Sequence, residues 1–145
     1  MKVPDEGSET MKDEKLESAI TCMKETVPGL LVVYRFGSEA QGTARPGSDV
    51  DLAVLAQNRL VPTMLVGLRQ DLAIILNREV DLIDLRAAST VMQMQVLSTG
   101  ECLFSGDDRA RELFEMIVYS SYARLNEERA GILDDVRTRG SVYAG

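Results

Sequence analysis

The feature that most constrains this chain is a pair of aspartates at the start of an apolar stretch, Asp49-Val-Asp51-Leu-Ala-Val-Leu55. Its β-branched and aliphatic content predicts a strand. Because successive side chains of a strand point to opposite faces, Asp49 and Asp51 are expected on the same face. Two carboxylates placed in this way repel each other unless a cation lies between them. The stretch therefore indicates a site for a hard divalent ion such as Mg²⁺, which binds carboxylate oxygens together with substrate phosphate oxygens.

The segment before the acidic pair is typical of a phosphate-binding turn. Leu30–Phe36 is short, β-branched and aromatic, and it predicts a buried strand that Gly37 and Ser38 interrupt. A helix is expected to begin at Glu39, with the Ser38 hydroxyl and free backbone N–H groups near its N-terminus, an arrangement that suits a phosphate. A turn over residues 44–48 then returns the chain to the acids. A predicted metal site at the acidic pair so close to a predicted phosphate-binding turn favours nucleotidyl transfer from a nucleoside triphosphate.

A third carboxylate is available on a later predicted strand, Glu79-Val-Asp-Leu-Ile-Asp-Leu85. Asp81 and Asp84 are three residues apart and therefore point to opposite faces of that strand. Only one of them can join Asp49 and Asp51, and the residue pattern alone leaves both open.

Taken together, these residues resemble the signature of the DNA polymerase beta-like nucleotidyltransferase superfamily. The resemblance lies in Gly37-Ser38 followed, after ten residues, by Asp49-x-Asp51. The segment Gly42-Thr-Ala-Arg-Pro-Gly-Ser48 is similar in particular to the minimal nucleotidyltransferase (MNT) branch, and the resemblance extends over roughly residues 15–105.

The resemblance implies a set of site residues. In the MNT branch the first aspartate of the later strand is the site residue, which implies that Asp81 rather than Asp84 completes the cluster. Asp49, Asp51 and Asp81 would then be the catalytic acids and would hold Mg²⁺, as two ions. Gly37 and Ser38 would bind the outer phosphates of ATP.

Two further positions bear on the nucleotide phosphates. Arg45 is either a phosphate contact or a solvated surface arginine. The sequence departs from the family pattern at Gln41, where relatives often carry a basic residue.

The resemblance also implies a partner and a function. MNT proteins are typically paired with a small all-helical HEPN ribonuclease in type VII toxin–antitoxin modules. This pairing implies an antitoxin that transfers AMP from ATP to a tyrosine of the toxin and thereby silences it. Two alternatives are an antitoxin that neutralises the toxin by stoichiometric binding and a small-molecule nucleotidyltransferase of the aminoglycoside-modifying kind. About 40 residues follow the last predicted strand, fewer than such enzymes use for an acceptor-binding domain.

Composition narrows the class further. A length of 145 residues with 45% hydrophobic and 27% charged residues predicts one globular domain over residues 1–145. The net charge of −7 argues against a general nucleic-acid binder, and the absence of histidine excludes an imidazole base or ligand. Cys22 and Cys102 lack metal-type spacing. With a polar, acidic N-terminus and no long apolar run, the chain is expected to be cytoplasmic with reduced cysteines and no membrane contact.

The remaining pattern predicts an α/β fold, a small mixed β-sheet with flanking helices. Strand, helix and strand from Asp49 to Leu85 predict a parallel crossover, and a short strand at Glu101–Phe104 is expected at a sheet edge. The other predicted helices are Glu9–Val27, Pro62–Leu76, Ala87–Ser98 and a long C-terminal helix, about Asp108 to Arg137, within the segment 107–138.

That last helix is longer than a domain of this size needs, since thirty residues span about 45 Å. A single stripe along it carries Phe114, Val118, Leu125, Ile132 and Val136. The helix either lies on its own sheet along its whole length or projects and binds another chain.

Overall fold

The sheet has four strands and mixed direction. The computed structural model describes residues 3–37 and 49–144, with side chains described over 14–37 and 49–138. The strands are β1 (Leu30–Phe36), β2 (Val50–Ala56), β3 (Val80–Asp84) and β4 (Glu101–Ser105). Their spatial order is β3-β2-β1-β4, with β1 antiparallel to both neighbours and β2 parallel to β3. The predicted fold class, the parallel pair and the edge position of the last strand are confirmed.

Four helices are described: α1 (Val3–Thr26), α2 (Pro62–Leu76), α3 (Thr90–Thr99) and α4 (Asp108–Ala144). The α1 helix begins six residues before the predicted Glu9, and α4 ends seven residues after the predicted Arg137. The predicted start of α3 at Ala87 is wrong, because the Ser89 hydroxyl accepts the Met92 N–H and so caps the helix later. The helix expected from Glu39 and the turn at 44–48 lie outside the described residues.

Both faces of the sheet are buried under helices. The α1 and α2 helices cover one face, where Met23, Leu68 and Leu72 pack against Val33 and Val54. The α3 helix and the first part of α4 cover the other face. Because β2 is central and covered on both sides, it reads as an almost continuous apolar run rather than as an alternating one. The acidic pair is thus held by the most buried strand of the molecule.

The long helix α4 packs on the domain only near its start. Phe114 and Val118 are buried, whereas every described side chain from 126 to 138 is exposed. At 1.5 Å per residue, the 37 residues of α4 span about 55 Å. The helix therefore does not lie on its own sheet along its whole length but projects from the domain, and the binding of another chain stays a prediction. In the described ranges, no helix combines the length and apolarity needed to cross a membrane.

Asp84 has a structural position at the far end of β3. It is 6% exposed, and its carboxylate accepts the N–H of Leu60 at 2.7 Å and the N–H of Arg86 at 3.1 Å. These bonds fasten the loop between β2 and α2 to the end of β3, on the sheet face opposite to Asp81.

Replacing Asp84 by alanine is expected to lower the free energy of unfolding by about 1–3 kcal/mol, because it leaves backbone N–H groups without partners. The matched control is Asp71→Ala on α2. Because that carboxylate is exposed, its removal is expected to change the free energy of unfolding by less than about 0.5 kcal/mol. Urea denaturation of both variants measures the difference. Equal effects of the two substitutions would contradict the assignment.

Candidate active site

Strand register brings the predicted acids to one end of the sheet. Asp51 on β2 is the register partner of Asp81 on the parallel strand β3. Asp49 directly precedes β2. On the other side of β2, Asp51 is paired with Phe36, the last residue of β1, so that Gly37 follows immediately beside it. The structure therefore assembles Gly37, Asp49, Asp51 and Asp81 in one place, while Ser38, Gln41 and Arg45 lie outside the described residues.

Gly37 is at a position that only glycine fits. Its φ of +73° lies in the left-handed region, which side chains rarely adopt. A Cβ atom at this position would also overlap the carboxylate oxygen Oδ2 of Asp51. The chain thus turns directly over the Asp51 carboxylate, and the absence of a side chain at residue 37 keeps that carboxylate accessible.

The carboxylates interact electrostatically. Burial raises the pKa of Asp51 above its ordinary value, and the nearby charges of Asp81 and Asp49 raise the pKa further. Asp51 is half-buried, whereas Asp49 and Asp81 are exposed. The site therefore combines one partly desolvated acid with two that face solvent, and all three repel one another when ionised.

The donor set fits Mg²⁺ better than a softer metal. It contains only carboxylates, and the chain has no histidine. Among the side chains at 14–37 and 49–138, no group of three or more acidic, cysteine or histidine residues is close enough together to hold a metal ion by itself. Mg²⁺ is commonly bound by one or two carboxylates and completed by substrate phosphates, so an open acidic edge suits an ion that arrives with a nucleotide.

Sequence reasoning missed the residues that hold the end of β1. Arg35 forms an ion pair with its cross-strand partner Glu101, and its Nε donates to Oε1 over 2.7 Å. A Cβ at Gly100 would lie 2.9 Å from the carbonyl oxygen of Arg35 and 3.2 Å from the Cβ of Phe36. The junction between α3 and β4 therefore packs tightly against the residues that lead into Gly37. The available signal was an arginine inside an otherwise apolar strand.

Known proteins show where this chain has relatives. The family profile described as polymerase beta, nucleotidyltransferase matches residues 17–109. The curated protein adenylyltransferase MntA of Shewanella oneidensis is 43% identical over 125 residues, which are 86% of this chain and 89% of MntA.

Two solved structures are also similar. A crystal structure of a toxin–antitoxin with AMP-PNP is similar at 41% identity and a TM-score of 0.75, over 85% of this chain and 96% of that one. A structure of the tri-AMPylated Shewanella oneidensis HEPN toxin in complex with MNT antitoxin is similar at 37% identity and a TM-score of 0.72, over 86% and 98% of the two chains.

Gly37→Ala is expected to lower the melting temperature, because alanine at this φ costs roughly 1–2 kcal/mol and its Cβ displaces the Asp51 carboxylate. Gly67→Ala is the control, since Gly67 lies inside α2 with no atom within 4 Å of its Cβ position. That substitution is expected to stabilise the helix by about 0.5–1 kcal/mol. Thermal unfolding of both variants would contradict the assignment if the two shifts had the same sign.

Asp51→Asn is expected to raise the melting temperature at pH 7 in the presence of EDTA. Because the pKa of Asp51 is raised on folding, the folded chain binds this proton more tightly than the unfolded chain does. The resulting stability is complete below the ordinary aspartate pKa of 3.8 and is lost as the pH rises through the folded value. Asparagine carries no charge at pH 7, so the variant does not lose this stability.

The advantage of Asp51→Asn should therefore shrink as the pH falls towards 3.8. Asp71→Asn, an exposed acid on α2, is the control and should show no such pH dependence. A gain for Asp51→Asn that is the same at every pH would show that charge repulsion is not its cause.

Proposed function

This chain belongs to the polymerase beta nucleotidyltransferase family, and from that premise we propose that it is the antitoxin of a type VII HEPN/MNT toxin–antitoxin pair. Its activity is that of a protein adenylyltransferase, which moves AMP from ATP to a tyrosine of the cognate HEPN ribonuclease toxin and inactivates it. The observation that carries the proposal is the register of Asp51 and Asp81 beside Gly37. The 43% identity to MntA of Shewanella oneidensis supports the same activity.

We assign the metal to Asp49, Asp51 and Asp81, and the outer phosphates of ATP to Gly37 and Ser38. Two Mg²⁺ ions, when bound, would neutralise phosphate charge and stabilise the leaving pyrophosphate. The fit rests on the all-carboxylate donor set and on the raised pKa of Asp51, both of which favour a cation at this position.

The chain's own residues have separate tasks in the transfer. Gly37 keeps the turn free of a side chain, so that phosphates can approach the Asp51 carboxylate. Partial burial of Asp51 strengthens its attraction for a cation, because charges interact more strongly where water is partly excluded. Asp81 is exposed and is therefore in a position to take a proton from an incoming hydroxyl.

The transfer itself is an in-line displacement. The tyrosine oxygen attacks the α-phosphorus of ATP, and the bond from that phosphorus to the bridging oxygen of pyrophosphate breaks. Pyrophosphate leaves with the electron pair, and the hydroxyl proton passes to Asp81. The toxin keeps AMP as a phosphodiester on its tyrosine.

We further propose a cytoplasmic location. Cys22 and Cys102 are both free thiols, as expected in a reducing compartment.

Intact-mass spectrometry tests the activity. A co-expressed HEPN-type toxin is incubated with this chain, ATP and Mg²⁺, and we expect the mass of the toxin to increase in AMP-sized steps. Asp49→Asn combined with Asp51→Asn should abolish these gains while the protein stays folded, because neither carboxylate at the start of β2 then remains to hold the metal. Asp71→Asn is the control and should transfer normally. An unchanged toxin mass in a stable complex would instead indicate an antitoxin that acts by stoichiometric binding.

A further inference from the structure

The projecting part of α4 continues the same helix face that packs on the sheet. Phe114 and Val118 of this stripe are buried, and they are followed by Leu125, Ile132 and Val136 at spacings of seven, seven and four residues. Such spacing keeps side chains on one side of a helix and is typical of helix–helix packing. Beyond the domain the stripe is uncovered, since Ile132 is 63% and Val136 59% exposed. We call Leu125, Ile132 and Val136 the distal stripe.

Contacts with the sheet hold the first part of α4 in place, and this fixes the direction in which the distal stripe leaves the domain. The hydroxyl of Tyr34 on β1 donates to Glu115 over 2.7 Å, and Arg111 forms an ion pair with the same carboxylate. Burial, followed by this hydrogen bond, raises the pKa of Tyr34, so the phenol remains a neutral donor. The guanidinium of Arg86 lies 5.7 Å from the centre of the Phe114 ring. The helix that carries the distal stripe is thus attached to the strand that leads to Gly37.

The distal half of α4 lacks the packing contacts that stabilise its first part. Most helical stability in proteins comes from packing of an apolar face. Described side chains at 126–138 are all exposed, so this packing has to come from outside the domain.

We propose that the distal stripe is the docking surface for the acceptor toxin, and that its occupant is a helix with an apolar face and a basic flank. This proposal rests on the proposed function. The spacing of the stripe fits another helix. Residues 126–138 carry four acidic and two basic side chains, a net charge of −2, so basic side chains on the partner helix would be complementary.

A toxin helix fits the surface better than a second copy of this chain. Each copy carries a net charge of −7, and two acidic helices would meet in a homodimer. The match to MntA covers 125 of 145 residues and therefore includes α4 at least as far as Leu125. The aligned segment thus includes Leu125, the first residue of the distal stripe. A similar MNT antitoxin is found in complex with a HEPN toxin.

The test compares two double variants of the same helix. Ile132→Glu with Val136→Glu charges the distal stripe, whereas Leu113→Glu with Ile117→Glu charges an exposed side of the first part of α4, about a quarter turn away from the stripe. The control residues are similarly exposed, at 52% and 53%. Glutamate has a better helix propensity than isoleucine or valine, so a loss of binding cannot be ascribed to a weakened helix.

Calorimetry with the same HEPN-type toxin gives the first readout. We expect the distal variant to bind at least about tenfold more weakly, as for buried apolar contacts at an interface, and the control to bind like wild type. The rate of AMP transfer should fall at low toxin concentration and recover at saturating toxin, since the docking step alone is weakened. Hydrogen exchange of wild type should show protection over 126–138 that appears only with the toxin.

The outcomes separate this proposal from the proposed function. Unchanged affinity of the distal variant, or equal losses in both variants, overturns the docking surface while transfer of AMP by wild type would still stand. If the wild-type protein binds the toxin through the distal stripe but transfers no AMP, the proposed adenylyltransferase activity is wrong and the docking surface stands. Homodimerisation that the distal substitutions abolish would assign the stripe to a second copy and contradict the proposal.

Discussion

The structure depends on the cost of holding carboxylates side by side at the end of two parallel strands. Asp51 and Asp81 are register partners, and burial and mutual repulsion raise the pKa of Asp51. Folding alone gains nothing from this arrangement, so the surrounding core has to stabilise it. That core is supplied by β2, whose other residues are almost completely buried on both faces of the sheet. Acids that destabilise the free protein are acids that gain most from a bound cation.

Gly37 links this electrostatic arrangement to the turn that we propose as the phosphate-binding part of the site. The turn passes so close to Asp51 that no side chain fits, and the left-handed backbone at this position favours glycine independently. The preceding strand is held by the Arg35–Glu101 ion pair and by the close approach of Gly100. Precise placement of one turn therefore requires contacts from β4 and α3, which are distant in sequence. The helices on that face of the sheet support the site as well as the core.

The apolar stripe of the long helix α4 is buried against the sheet in its first part and exposed in its distal part. Its stripe packs on the sheet at Phe114 and Val118 and then leaves the domain with the same spacing at Ile132 and Val136. A sequence pattern reports only that a helix face is apolar, and it does not report what covers that face. The sequence accordingly left two interpretations of α4 open, and the exposure of the distal residues excludes a helix that lies on its own sheet along its whole length.

The amino-acid sequence by itself determined the fold class, the strands around the acids to within one residue at each end, and the placement of Gly37 with Asp49 and Asp51 in one unit. These follow from local features: β-branched runs, glycine at a turn and alternation along a strand. Helix ends were less accurate, since the cap at Ser89 depends on one local hydrogen bond that the apolar pattern does not contain. The relation of Asp81 to Asp51, the buried role of Asp84 and the projection of α4 were decided only by the tertiary structure. Strand register, burial and exposure arise from contacts between segments far apart in the chain, and no local pattern specifies them.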